Sequence, residues 1–160
     1  MEQDDINGDR VLVGVDGSPS SIGALRYAAR IAAAFGAPLE AATTWSYPPF
    51  VDYAAVSGWS PERTAVEILD AAVERAFDGT PPEGLVRTIL SGPPASVLVE
   101  QSRRAGMLVL GSRGRGGFAG LLLGSVSQTC AEHAHCPVLI VHSAKAEQGP
   151  VGVEACSGTA

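Results

Sequence analysis

Between residues 111 and 127 the chain carries the residue types that hold an anion: Gly111, Gly114 and Gly124, hydroxyls at Ser125 and Ser127, and guanidinium groups at Arg113 and Arg115. The stretch follows a short apolar run, Met107 to Leu110, and precedes a helix-like segment from Ser127 to Ala134. Glycine permits positive φ and lets a ligand approach the backbone closely. A helix start adds unpaired N–H donors and the positive end of the macrodipole. The chemistry predicted is phosphate binding, with Ser125 and Ser127 as hydroxyl donors and the two arginines supplying charge.

Spacing alone decides little in a chain with 19 glycines among 160 residues, where a solvated loop is the competing reading. The standard P-loop is excluded, because it needs Lys after its last glycine and the only Lys is Lys145. Gly114-Arg-Gly116-Gly-Phe-Ala119 fits the relaxed dinucleotide pattern, but no Asp or Glu lies at 134–146 to meet a ribose. Cys130, His133, His135 and Cys136 resemble a metal cluster in composition only. Cys130 and His133 share a helix face, whereas His135 and Cys136 fall where that helix must end before Pro137.

Positioning such a loop requires a rigid sheet, and the chain has the elements for one. Apolar runs at Val11–Val15, Leu39–Trp45, Leu85–Leu90, Met107–Leu110 and Pro137–His142 read as five strands. Ser18 and Pro19 open a helix that Gly36 ends, with an apolar stripe of Ile22, Leu25, Ala29, Ala32 and Phe35. Pro61 and Glu62 open a second, striped by Val66, Leu69, Val73 and Phe77. Gly92-Pro-Pro introduces a third, which runs to about Arg104. Residues 46–60 lack periodicity and hold four of the nine aromatics, which suits a lid, a partner surface or an ordered excursion.

Strict β-α alternation predicts a single-domain α/β/α sandwich on a five-stranded parallel sheet. One reversal of winding favours the strand order 3-2-1-4-5. Ligands bind such sheets beyond the carboxyl ends of the strands, at the switch point between strands 1 and 4. Asp16 closes the first of these strands and Gly111 the second, so two distant features are expected in one crevice. Asp16 is an acceptor suited to Mg²⁺ or a ribose hydroxyl.

Net charge of −6 argues against nonspecific nucleic-acid binding. No apolar run approaches 18 residues, and the acidic start is wrong for a secretory signal, so a cytoplasmic protein without a membrane span is expected. Three cysteines without a CxxC pair suit reduced thiols.

Val13-Gly14-Val15-Asp16-Gly17-Ser18, the Gly111-x2-Gly114-x9-Gly124-Ser125 loop with Val126-Ser127, and Cys136-Pro137-Val138 together resemble the nucleotide-binding subgroup of the universal stress protein family, the UspA-like proteins. The resemblance covers about residues 10–142, leaving flexible tails at 1–9 and 143–160. It implies the adenine nucleotide alpha-hydrolase-like fold and binding of ATP, ADP or AMP, with Mg²⁺ a candidate companion at Asp16. It assigns Asp16 and its neighbour Gly14 to the ligand, Thr44 to the surroundings of the adenine, and Gly111, Gly114, Ser125, Val126 and Ser127 to the phosphates. It also implies a homodimer through the strand at 137–142. Gly106 departs from the family, which often has Asp there. The function expected is nucleotide-dependent regulation of a protein partner in a stress response. A slow ATP hydrolase and a nucleotide-free scaffold are the alternatives.

Overall fold

The computed structural model describes residues 8–49, 58–114 and 122–143. Arg115, the dinucleotide-like run 114–119 beyond its first glycine, residues 50–57 of the 46–60 stretch, and the tails except for Gly8, Asp9 and Ser143 lie outside the described residues. The elements are β1 (Val11–Gly14), α1 (Pro19–Phe35), β2 (Leu39–Trp45), α2 (Pro61–Phe77), β3 (Val86–Ser91), α3 (Pro94–Gln101), β4 (Met107–Gly111), α4 (Ser125–His133) and β5 (Val138–Val141). A short 3₁₀ turn over Ser102–Arg104 follows α3. The five strands form one parallel sheet in the order β3-β2-β1-β4-β5.

Side chains alternate along the strands, so each strand serves two cores. Val11, Val13, Val109 and Ala41 face α1 and α2, packing on Ile22, Leu25, Leu69 and Val73. Leu12, Ala42, Leu108 and Leu110 face the opposite layer with Leu98 and Cys130. This is the three-layer sandwich expected from the alternation. β3 at one edge is the least buried strand on the α2 side, as Arg87 and Thr88 suggest.

The α1 signals act as read. Ser18 accepts a hydrogen bond from the Ser21 backbone N–H, Pro19 occupies the first turn, and Gly36 ends the helix at φ 63°. Two residues of the expected stripes point elsewhere: Phe35 is 77% and Val66 41% exposed. Ile22, Leu25, Ala32, Leu69 and Val73 of those stripes are buried, and alanines fill the rest of both faces, with Ala24, Ala28, Ala65, Ala72 and Ala76 buried. Small residues let a helix lie close to a sheet, and a stripe drawn through the bulky residues misses that.

Gly106, where the family resemblance leads one to expect Asp, has a steric reason. A Cβ there would collide with the Gly8 carbonyl oxygen, and Gly106 donates its N–H to Arg10. A buried polar group also went unread in β2. Glu40 is 8% exposed and is held by the Arg10 guanidinium and the Thr88 hydroxyl. Burial of a carboxylate requires such partners.

Candidate functional site

The site is built where β1 and β4 separate. Beyond Gly14 the chain continues through Val15 to Asp16, whose Oδ1 accepts the Ser18 N–H at 2.9 Å. This local turn fixes the carboxylate above the sheet. β4 ends at Gly111, and the chain runs through Ser112 and Arg113 to Gly114, which lies against Asp16: a Cβ on Gly114 would sit 2.6 Å from Asp16 Oδ2. The two ends of the crevice meet there.

Asp16, Arg113, Gly114, Gly124, Ser125, Val126 and Ser127 line one end of a cavity of about 630 Å³. Gly14, Ala42, Ile68, Pro94, Leu98 and Leu110 form an apolar wall, with Thr43 and Thr44 at the end of β2. The volume falls in the range of small-molecule sites, which pair apolar walls with a few placed polar groups. Of the sequence-predicted residues, all but Arg115, which is outside the described residues, line this one cavity.

The glycines do their work differently from the expectation. Among the described glycines, positive φ occurs at Gly17, Gly36, Gly58, Gly79, Gly84 and Gly92, and not at Gly111, Gly114 or Gly124. Close approach is what the loop requires. A Cβ on Gly111 would lie 2.5 Å from Ser20 Oγ and 2.7 Å from its backbone carbon. One on Gly14 would lie 2.6 Å from Leu110 Cδ2. At Gly124 the nearest atom would be 3.5 Å away, an ordinary contact.

Gly124 matters as the N-cap of α4. The helix begins at Ser125, two residues earlier than expected, so Ser125, Val126 and Ser127 form its first turn. Their N–H groups lack partners within the helix, and among the described residues no side chain caps them. This bare helix start opens on the cavity. Ser127 differs from its assigned role: its hydroxyl donates to the Gly111 carbonyl at 2.6 Å, tying α4 to the end of β4. What it offers a ligand is its backbone N–H. Thr43 is likewise committed, its hydroxyl donating to the Val15 carbonyl at 2.9 Å.

Sequence reasoning missed the apolar wall. Pro94 and Leu98 are one helical turn apart on α3, but nothing in that turn distinguishes wall from core. Among the described residues lining the cavity, Asp16 and Arg113 are the only titratable side chains. Cys130 lies apart from it, on the buried face of α4, where burial and then the neighbouring Cys136 push its thiol up to about 11. Among the described residues no three His, Cys, Asp or Glu groups come together to hold a metal.

A family model for universal stress proteins matches residues 8–142. The chain belongs to the universal stress protein family. A universal stress protein of Mycobacterium tuberculosis is 35% identical over 130 residues, covering 81% of this chain and 44% of its own length. The chain thus spans less than half the length of the curated relatives of that kind. Among solved structures, a universal stress protein in complex with cAMP is 35% identical with a TM-score of 0.61, over 84% of this chain and 97% of the other. A universal stress protein family member from Arabidopsis thaliana with AMP bound shares the fold at 22% identity, with a TM-score of 0.61 over 89% of this chain and 95% of the other.

Proposed function

We propose that this universal stress protein binds an adenine nucleotide, ATP, ADP or AMP, in the switch-point cavity and serves as a nucleotide-dependent regulatory protein. The observation that carries this is the bare N-terminus of α4 opening, beside the Gly111–Gly114 segment, onto a cavity with an apolar wall. Backbone donors and a helix dipole suit phosphate, and Arg113 adds charge. Leu98, Pro94 and Leu110 suit the faces of a base, with Thr44 at its edge. The relative that is 35% identical and holds cAMP supports the same ligand class.

Mg²⁺ binds through one or two carboxylates together with phosphate oxygens and water. The single carboxylate of Asp16, set against the loop, fits that donor set, so Asp16 would hold the ion when a polyphosphate is present. The ion would neutralise phosphate charge. Binding is favoured over turnover because the described lining supplies no His, Cys, Lys or Glu to act as a base. Assembly belongs to the same reading: β5 is an edge strand with four half-buried residues, and pairing with β5 of a second copy about a two-fold axis would satisfy it.

The test is Gly114→Val. Its Cβ would displace the Asp16 carboxylate, so calorimetric titration with ATP and with AMP should show binding lost, while the circular dichroism spectrum is retained. A folded variant with unchanged affinity would overturn the proposal. Mass spectrometry of protein released under native conditions would name the retained nucleotide.

A further inference from the structure

The hydroxyls of Ser18, Ser20 and Ser127 hold the root of the Gly-rich loop, and the first two belong to residues that do not line the cavity. Ser18 and Ser20 sit at the start of α1, 6% and 3% exposed. Besides capping α1, Ser18 donates its hydroxyl to the Arg113 carbonyl at 3.3 Å. Ser20 accepts the Arg113 N–H at 3.5 Å and donates to the Val141 carbonyl at 3.3 Å. That carbonyl, at the end of β5, also takes the Ser112 N–H at 2.9 Å. Ser20 also fills the place where a Gly111 side chain would be, so the contact between α1 and the loop root is close as well as hydrogen-bonded.

We propose that Ser18 and Ser20 are positioning residues for the nucleotide loop. They clamp both backbone groups of Arg113, immediately before Gly114, and so set where the loop leaves the sheet. This rests on the nucleotide reading above and extends it to residues the ligand does not touch. The clamp also joins the loop to the edge strand, because one hydroxyl serves Arg113 and Val141 together. A helix start that merely needed serines for its own hydrogen bonds would have no use for Ser20, which is past the cap and whose hydroxyl serves only the loop and β5. Alanine is the better helix former at that position.

Ser20→Ala therefore separates the two roles. Hydrogen exchange, measured without nucleotide, should accelerate at the Arg113 and Gly114 amides and stay unchanged in the sheet. The unfolding midpoint should hold, and the dissociation constants for ATP and AMP should rise about tenfold, the scale of one lost hydrogen bond in a preorganised site. Ser18→Ala should behave alike but melt earlier, since it also loses the cap. Ser18→Thr, which keeps the hydroxyl, should restore both affinity and slow exchange. Unchanged exchange at Arg113 and Gly114 in Ser20→Ala would overturn the clamp, as would wild-type affinity in that variant where the wild type binds, or a lowered midpoint with loop exchange intact. A wild type that binds neither nucleotide would overturn the functional reading instead, and the exchange measurement would still decide the clamp.

Discussion

Gly111 is glycine because α1 begins where its side chain would stand. The obstructing atoms include backbone of Ser20 and Ser21, which cannot rotate away as a flexible side chain could. Gly111→Ala should therefore destabilise the protein by about 1–3 kcal/mol, the usual cost of overpacking, read as a lowered urea midpoint at constant slope. Gly14 faces the movable ends of Leu110 and Leu98, so the same change there meets softer obstacles. Cys130 makes a separate prediction. Its thiol is raised from 9.0 to about 11 by burial and then by Cys136, and an unfolded chain would ionise it first. Above about pH 9 the unfolded state binds fewer protons, so stability should fall as pH rises toward 11. Cys130→Ala should flatten that part of a stability profile measured by denaturant titration at successive pH values. An equally steep profile in the variant would assign the loss to other groups.

At the scale of elements, β5 shows where side-chain logic and edge logic part. Ile140 packs with Leu12 and Leu108 in the α3–α4 core, and Leu139 and Val141 pack on the other face. What β5 can offer a second copy is its backbone edge. A charged residue at Ile140 would strike the fold first: Ile140→Asp should lower the thermal midpoint sharply, whatever it does to assembly. Wild-type protein in sedimentation equilibrium should run as a dimer, and a monomer at high micromolar concentration would defeat the pairing. The strands were legible because burial on both faces leaves nearly unbroken apolar runs, and the caps because Ser18, Pro19 and Gly36 each have one main use. The helix faces were less so. Ile22, Leu25, Leu69 and Val73 lie in the core as read, but Phe35 and Val66 drew the eye by size, while Ala24, Ala28, Ala65, Ala72 and Ala76 complete the contact and their smallness carries little signal. Helix α4 was read as starting two residues late because Gly124-Ser125 looks like loop, and only the structure shows that glycine caps it.

For the whole molecule, the switch point was readable because parallel topology leaves a single place where two features so distant in sequence meet. Asp16 and Gly114 are brought into contact by chain order alone. The apolar wall was not readable, since Leu98 and Leu110 serve the core and the cavity with the same side chains. Their double duty explains why the cavity adjoins a well-packed layer: the wall is the outer surface of that core.

On the proposed nucleotide reading, the start of α4 would couple the stability of the fold to occupancy of the site. A helix start left without a side-chain cap is a local deficit, and a bound anion would supply the missing partners only in the folded state. By mass action, any ligand that does so shifts the unfolding equilibrium toward the native form by about 2.7 kcal/mol at a hundred times its dissociation constant. The melting temperature should consequently climb with nucleotide concentration without saturating at one site's worth of protein. A thermal-shift series across adenosine, AMP, ADP, ATP and inorganic phosphate would then rank the ligands, with adenosine giving the least of the adenine series because it lacks the anion. Equal shifts for adenosine and AMP would mean that the helix start is not where the binding energy is delivered.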